Sequence, residues 1–297
     1  MMNADAPHSP PRLGLIGAGR VGSSLIRALH RRGYRIAAVA SRQPEQAAAL
    51  AAQVAARPEA DPAAVVLRAD LTIIAVPDDA LAGVVAAIAD AVTGPAALTG
   101  RMIVHTSGAH DAALLRPLAE CGARIGGLHP ALPIAMPETD LSPQVAYAIE
   151  AEDADLRAAL HTLIAALDGR ALTLPAGMKA LYHAALVFAS NYGVTLYAVA
   201  HDLLRAAGAD PESAEAALQA LMRGMLENIR ARGAVQALTG PLARGDAGTI
   251  ARHVAALRAV DPGLLALYRA LADATFPLLS ARGLPDEVLA ALRAALE

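Results

Sequence analysis

Residues 13–22 read LGLIGAGRVG. A short apolar run ends in Gly17-x-Gly19-x-x-Gly22, and a helical pattern follows from residue 21. Each glycine has a physical task in a strand–turn–helix unit. The first makes a tight turn, the second lets a pyrophosphate reach the backbone, and the third lets helix and strand pack closely. The helix N-terminus then offers unpaired N–H groups to phosphate. Gly17, Gly19, Arg20, Val21 and Gly22 are therefore the expected dinucleotide contacts.

The choice of dinucleotide is read about 20 residues further on, where a carboxylate usually holds the ribose 2′-hydroxyl of NAD. This chain has Ala40-Ser41-Arg42 there. A hydroxyl and a guanidinium suit a 2′-phosphate, so the expected cofactor is NADP(H), with Ser41 and Arg42 as its readers. The other reading of Arg42 is a solvated loop residue. Val76-Pro77 ends a later apolar run and is expected to lie under the cofactor. Asp78 is either part of that loop or a helix N-cap.

Outward from this motif, strand-like runs at 13–16, 35–40, 71–76, 102–105, 124–128 and 146–150 alternate with helical patterns at 21–31, 44–56 and 79–91. Alternation of this kind predicts an α/β fold with a doubly wound, mainly parallel sheet. A last apolar piece at 171–174 leads into Pro175 and Gly177. Beyond it the pattern is helical throughout, at 179–208, 210–232, 246–259, 262–282 and 285–296, punctuated by Gly and Pro. The expected division is a tail at 1–11, an α/β domain at 12–175 and an all-α domain at 176–297.

The chain has 297 residues, a formal net charge of -3 and a pI near 6.3. That balance points to neither nucleic acid nor a membrane surface as partner. Cys121 is alone, which rules out a disulfide within one chain and suits a cytoplasmic setting. The first residues lack the apolar core of a secretory signal. Residues 180–201 carry no formal charge and are long enough to span a bilayer. They also hold His183, Ser190, Asn191 and tyrosines, which suits a helix buried in protein. The apolar surface of that helix predicts a homodimer built on the helical domain.

Lys179 is the only lysine in a chain with 24 arginines. A lysine can give up or share a proton where arginine cannot. On composition alone it is equally a codon that has not drifted. His183 follows at i+4, on the same helix face. On a continuous helix Ser190 shares that face and Asn191 turns about 120° away. His183 is either a proton relay or a hydrogen-bonded core histidine. His129 precedes Pro130 directly after a strand-like run. This His-Pro resembles one in prephenate-dehydrogenase-like relatives, which implies a place close to substrate, and the other reading is a turn-shaping residue. Ser107 either bonds nicotinamide or substrate, or caps the next helix. Arg244 is either a clamp for a substrate carboxylate or a surface residue beside an Asp246 N-cap. No His-Glu-x-x-His and no clustered ligand set occurs, so no metal is expected, and Gly-x-Ser-x-Gly is absent.

Five segments carry a family resemblance: GLIGAGRVG at 14–22, VHTSGA at 104–109, GLHP at 127–130, LYHAALVFASNY at 181–192 and LTGPLARGD at 238–246. With them the chain resembles Rossmann-like proteins with a helical C-terminal domain of undefined function, DUF2520. That group is often labelled coenzyme F420-dependent NADP oxidoreductase-like. It is similar more widely to the reductases related to 6-phosphogluconate dehydrogenase, ketopantoate reductase and pyrroline-5-carboxylate reductase. The resemblance implies a Rossmann-type fold and an oxidoreductase. It also implies that Lys179, at the start of the second domain's first helix, donates or relays a proton. The wider superfamily carries asparagine where this chain has His183, so its mechanism does not transfer unchanged.

The combined expectation is an NADPH-dependent reductase of a small carboxylate-bearing carbonyl compound, a 2-oxo acid such as ketopantoate. Its catalytic residues would be Lys179, His183, His129 and Ser190, with Asn191 and Arg244 on the substrate. The alternatives are reduction of a cyclic imine and a non-catalytic NADP-binding sensor. The label's deazaflavin donor is demanded by no residue.

Overall fold

The computed structural model describes residues 10–134, 136, 141 and 144–297. The expected tail at 1–11 lies outside the described residues as far as residue 9. Among the described residues the chain divides into two compact units, one ending at Gly193 and one beginning at Val194.

The first unit is built on a sheet of eight strands: β1 Leu13–Ile16, β2 Ile36–Ala40, β3 Arg57–Glu59, β4 Leu71–Ile74, β5 Met102–His105, β6 Arg124–Pro130, β7 Ala146–Glu150 and β8 Arg170–Thr173. Their spatial order is β3-β2-β1-β4-β5-β6-β7-β8. Every neighbouring pair is parallel except β6 with β7. From β1 the chain first builds outward through β2 and β3, then returns to place β4 on the other side. The order therefore reverses between β1 and β4, the kind of crevice where doubly wound sheets bind ligands.

Both faces of the sheet are covered, which explains why β1 and β4 are buried along their whole length. Side chains alternate by strand period. Leu13, Leu15, Leu71 and Ile73 pack in one core with Leu25 and Leu29 of helix Arg20–Arg31 and Leu160 of helix Ala154–Ala166. Ile16 and Ile74 pack in the other with Val65, Leu81 and Ile88. These last belong to helices Pro62–Arg68 and Asp78–Ala91.

Several elements differ from the sequence expectation. β3 and helix Pro62–Arg68 were not foreseen. β3 is an edge strand reading Arg-Pro-Glu, whose charge and proline suppress any apolar alternation. Its helix is seven residues long, capped by Asp61, which accepts from the Ala63 N–H. Helix Ala154–Ala166 was also missed. It buries Leu156, Leu160, Leu163 and Ile164 and is capped by Asp153. The apolar run expected at 71–76 ends as a strand at Ile74.

The expected helix at 179–208 is broken. Lys179–Ala189 and Asn191–Ala206 are separate, and Ser190 between them has φ -111 and ψ -66. Serine and asparagine offer the backbone local hydrogen-bonding alternatives, so a helix is weakest where they adjoin. The helix Lys179–Ala189 belongs to the first unit, so the division falls after Gly193 and not at the expected residue 175.

The second unit is helical, with a core of Ile250, Val254, Leu265, Ala272, Phe276, Leu279, Leu292 and Leu296. Helix Pro211–Ala237 kinks at Gly233, whose φ is 73. Among the described residues one helix, Pro262–Ala281, is long and apolar enough to cross a bilayer. Four of its side chains lie in that core.

Candidate functional site

The loop after β1 is shaped by contacts that no side chain would survive. Gly17 has φ +103, and a Cβ there would stand 2.4 Å from the Ala75 carbonyl oxygen. At Gly22 a Cβ would stand 2.2 Å from the Gly17 carbonyl oxygen. Gly17 also donates to Ala40 O at 2.8 Å, and Ala75 donates to Ile16 O at 2.7 Å, so the loop is tied to β2 and β4. Gly19 is different: a Cβ there would meet nothing within 4 Å. It faces open space and is the N-cap of helix Arg20–Arg31, whose first turn has neither a side-chain cap nor an acidic residue.

That open space is a cavity of about 470 Å³ lined by Gly17, Gly19, Ser41, Arg42, Val76 and Pro77, among others. Six of the expected cofactor contacts thus meet at one place. Arg20, Val21 and Gly22 form the first helical turn beside it and do not line it. Pro77 is the N-cap of helix Asp78–Ala91, and Asp78 lies inside its first turn. An adenine dinucleotide fits this cradle: bare backbone where phosphates approach, a positive helix end, and Ser41 with Arg42 at the end of β2.

A second cavity, of about 330 Å³, is lined by His129, Ala131, Leu132, Pro133, His183, Leu186, Ala189, Ser190 and Asn191. His129 comes from the end of β6 and His183 from helix Lys179–Ala189. The helix break at Ser190 brings Ser190 and Asn191 to the same cavity, whereas a continuous helix would turn them apart. His129 and His183 stand edge to face with centroids 6.3 Å apart. Gly108 lies between them: a Cβ there would come within 2.7 Å of His183 Cδ2 and 2.9 Å of His129 Nε2. His129 Nδ1 is 2.8 Å from the Tyr182 hydroxyl, and the two rings meet edge to face.

Lys179 does not line this cavity. Its side chain is fully buried, and Nζ donates to the Ser107 carbonyl at 2.7 Å. It runs against bare backbone at Gly127, where a Cβ would lie 3.4 Å from Cε and Nζ. Burial lowers its pKa, and the charges of Glu150, Asp111 and Asp78 oppose that shift. Glu150 is itself buried, with its pKa raised by desolvation, and Oε2 accepts from Ala112 N–H at 2.8 Å. Asp111 Oδ1 is buried without a hydrogen bond.

Ser107 caps its own turn. Its Oγ accepts from the backbone of Ala109 and His110 at 3.2 and 3.0 Å. His105, buried below it, accepts from Ser107 N–H through Nδ1 at 3.2 Å and approaches Asp111 O through Nε2 at 3.3 Å. That pattern needs a neutral ring. Desolvation and the Lys179 charge push its pKa down to about 4, and the same two causes, with His183, bring His129 to about 4. Arg244 lies in the second unit at the end of helix Gly240–Arg244, and Asp246 caps the next helix by accepting from Thr249. Among the described residues no group of three His, Cys, Asp or Glu is placed to hold a metal.

Tyr182, Gly108, Asp111 and Glu150 were not singled out in the sequence. Tyr182 was within reach, because it stands at i+3 from Lys179 on the face that carries His183. The others depend on contacts across strands, for which the sequence has no local signal.

Residues 2–130 match the family described as Rossmann-like domain, and residues 145–275 match DUF2520, a domain of unknown function. The chain joins a Rossmann-like domain to a DUF2520 domain. No curated protein matches it. Among solved structures it is similar to BF3122 of Bacteroides fragilis, provisionally named an NADP oxidoreductase. The identity is 26%, 89% of this chain and 97% of that one are covered, and the TM-score is 0.68. Protein TM1727 of Thermotoga maritima shares the fold at 21% identity and TM-score 0.73, over 91% and 99% of the two chains. So does a reductive aminase of Aspergillus terreus, solved with NADPH and ethyl levulinate, at 22% identity and TM-score 0.62 over 91% and 94%.

The two glycines of the Rossmann-like loop should separate on substitution. Gly17→Ala is expected to cost roughly 2–3 kcal/mol of stability, from positive φ and the carbonyl clash. Gly19→Ala should cost under about 1 kcal/mol, yet weaken NADPH binding at least about tenfold, near 1.4 kcal/mol. Denaturant titration and calorimetry check both; equal stability losses would contradict the geometry.

The neutral histidines predict an acid-sensitive fold. His105 is pushed down to about 4 in the folded chain, against about 6.5 when unfolded. The unfolded chain binds more protons between those values, so stability is full above 6.5 and lost as pH falls towards 4. The loss from His105 is at most roughly 3 kcal/mol. Thermal melts from pH 7 to 4.5 should show it, and His105→Gln should flatten the curve. An unchanged slope in that variant would remove the assignment.

Proposed function

We propose that the chain is an NADPH-dependent oxidoreductase that reduces a small uncharged carbonyl or imine compound. The cavity of His129, His183, Ser190 and Asn191 would hold that substrate. The observation that carries this reading is the parallel run of β1, β4, β5 and β6. It delivers the Gly17–Gly19 loop, Val76, the Ser107–Gly108 turn and His129 to the same carboxyl edge. The cofactor cradle and the histidine-lined cavity therefore open at one end of one sheet. A second cavity at that edge favours a catalyst over a bare NADP sensor.

Bound in the first cavity, NADPH supplies a hydride. The Gly19 backbone and the first turn of helix Arg20–Arg31 would hold its pyrophosphate, and Ser41 and Arg42 its 2′-phosphate. His129, neutral near pH 7, can donate one hydrogen bond to the substrate's oxygen or nitrogen and withdraw charge from the carbon. His183 and Ser190, which line the same cavity, would relay a proton from solvent. Lys179 acts from below, fixing the Ser107–Gly108 turn through its carbonyl. Its burial and that bond argue against the direct proton delivery that the family resemblance implied.

The 2-oxo acid reading is the less supported one. The cavity has no arginine or lysine among its described lining residues, so a carboxylate finds no fixed positive partner there. Cyclic imines and uncharged ketones suit it better. By name, the Aspergillus terreus relative is a reductive aminase, and ethyl levulinate is an uncharged keto ester. NADPH oxidation by the purified protein should run at least about tenfold faster, in kcat/KM, with cyclic imines or ketone–amine pairs than with 2-oxo acids. Turnover of 2-oxo acids alone would return the carboxylate reading and Arg244. NADPH binding without any turnover would return the sensor. In the same assay NADPH should exceed NADH at least about tenfold, and Arg42→Ala should erase the gap.

We also propose a homodimer through the helical unit. Helix Pro211–Ala237 buries only Ala214 and Leu218. It leaves Leu221, Met225, Leu226 and Ile229 exposed beside an apolar hollow of about 740 Å³. Light scattering at micromolar concentration should return twice the chain mass, and a monomer would refute the assembly.

A further inference from the structure

His129 is one imidazole in two environments. Nδ1 lies 2.8 Å from the Tyr182 hydroxyl. Nε2 makes no hydrogen bond among the described residues and lies on the Gly108 side, where the missing Cβ leaves room beside His183. Which nitrogen carries the proton decides what the ring can offer a substrate. With the proton on Nε2 the free nitrogen is a donor; with the proton on Nδ1 it is only an acceptor.

We propose that Tyr182 is a positioning residue that fixes His129 in the Nε2–H tautomer, so that the ring presents a hydrogen-bond donor to the reacting oxygen or nitrogen. The argument rests on what the phenol requires. Tyr182 is buried, and its hydroxyl has no other partner among the described residues. If Nδ1 carried the proton, the phenol oxygen would accept and its own O–H would be left unpaired in a buried place. With the phenol donating to Nδ1, both groups are satisfied. Burial also pushes the phenol up to about 12, so it keeps its proton throughout the neutral range.

The packing supports a positioning role. The rings of Tyr182 and His129 meet edge to face at 5.6 Å and 83°, a contact that fixes the imidazole plane. Tyr182 also precedes His183 directly. One helical turn, anchored by Lys179 on Ser107, therefore places a cavity histidine and the group that orients the other one. This is the logic by which a second residue sets the tautomer of a catalytic histidine elsewhere.

The proposal rests on the reading that this cavity holds the reacting group, but its first test does not need turnover. Long-range proton–nitrogen NMR on the wild-type protein at neutral pH, with His129 assigned by comparison with His129→Gln, reports which ring nitrogen is protonated. Protonated Nε2 with bare Nδ1 is the expected result. Protonated Nδ1 would overturn the proposal without any variant and whatever the substrate proves to be. Tyr182→Phe keeps the ring packing and removes only the O–H. It should shift the His129 signals towards the other tautomer and lower kcat at least about tenfold, with NADPH affinity unchanged. Outright loss of such a donor costs about a hundredfold or more. In a His129→Gln background, where an amide supplies the donor, Tyr182→Phe should have no further effect on kcat. An unchanged tautomer in Tyr182→Phe, or an equal loss in both backgrounds, would show that Tyr182 acts only by packing.

Discussion

Parallel pairing is the constraint from which the site follows. In a parallel sheet every strand ends at the same edge, so loops far apart in sequence are forced together. Gly17, Val76, Ser107 and His129 span more than a hundred residues, yet each lies at or just past the end of a strand in the run β1-β4-β5-β6. None of these loops needs a long-range signal of its own to find the others. Covering helices bury both sheet faces, so a strand that slipped by one residue would exchange the side-chain sets fitted to the two cores.

The second cavity depends on close approach as well as on side chains. His129 and His183 face each other across Gly108, whose missing Cβ leaves the room they share. The break at Ser190 then turns two consecutive polar residues towards the same space. These features compromise local regularity, in a helix cut short and a turn without a side chain. Such departures are expected where a fold serves a ligand more than its own packing.

The sheet was largely legible because its central strands are apolar on both faces, and a continuous apolar run bounded by Gly or Pro is a strong signal. β3 was not, since an exposed edge strand of Arg-Pro-Glu avoids every feature that marks a strand. The dinucleotide loop could be read residue by residue, because the task of each glycine is set by its immediate neighbours. The histidine cavity could be read only in part. Lys179 stands out as the only lysine, and helical spacing from it points to His183 and Ser190, but spacing assumes a continuous helix and does not say which way a side chain points. Burial of Lys179 and the bond from Tyr182 to His129 arise between elements, where sequence order carries no such information.

The lone lysine acquires an explanation in its hydrogen bonding. Its ammonium is buried and makes one hydrogen bond among the described residues, to the Ser107 carbonyl, and a side chain added at Gly127 would begin 3.4 Å from Cε and Nζ. A guanidinium is planar, broader and carries five donors, most of which would find no acceptor there. An ammonium brings three donors into that buried position instead of five. In a chain otherwise supplied with arginine, the one lysine stands where five buried donors would have to share the acceptor that a single ammonium now uses.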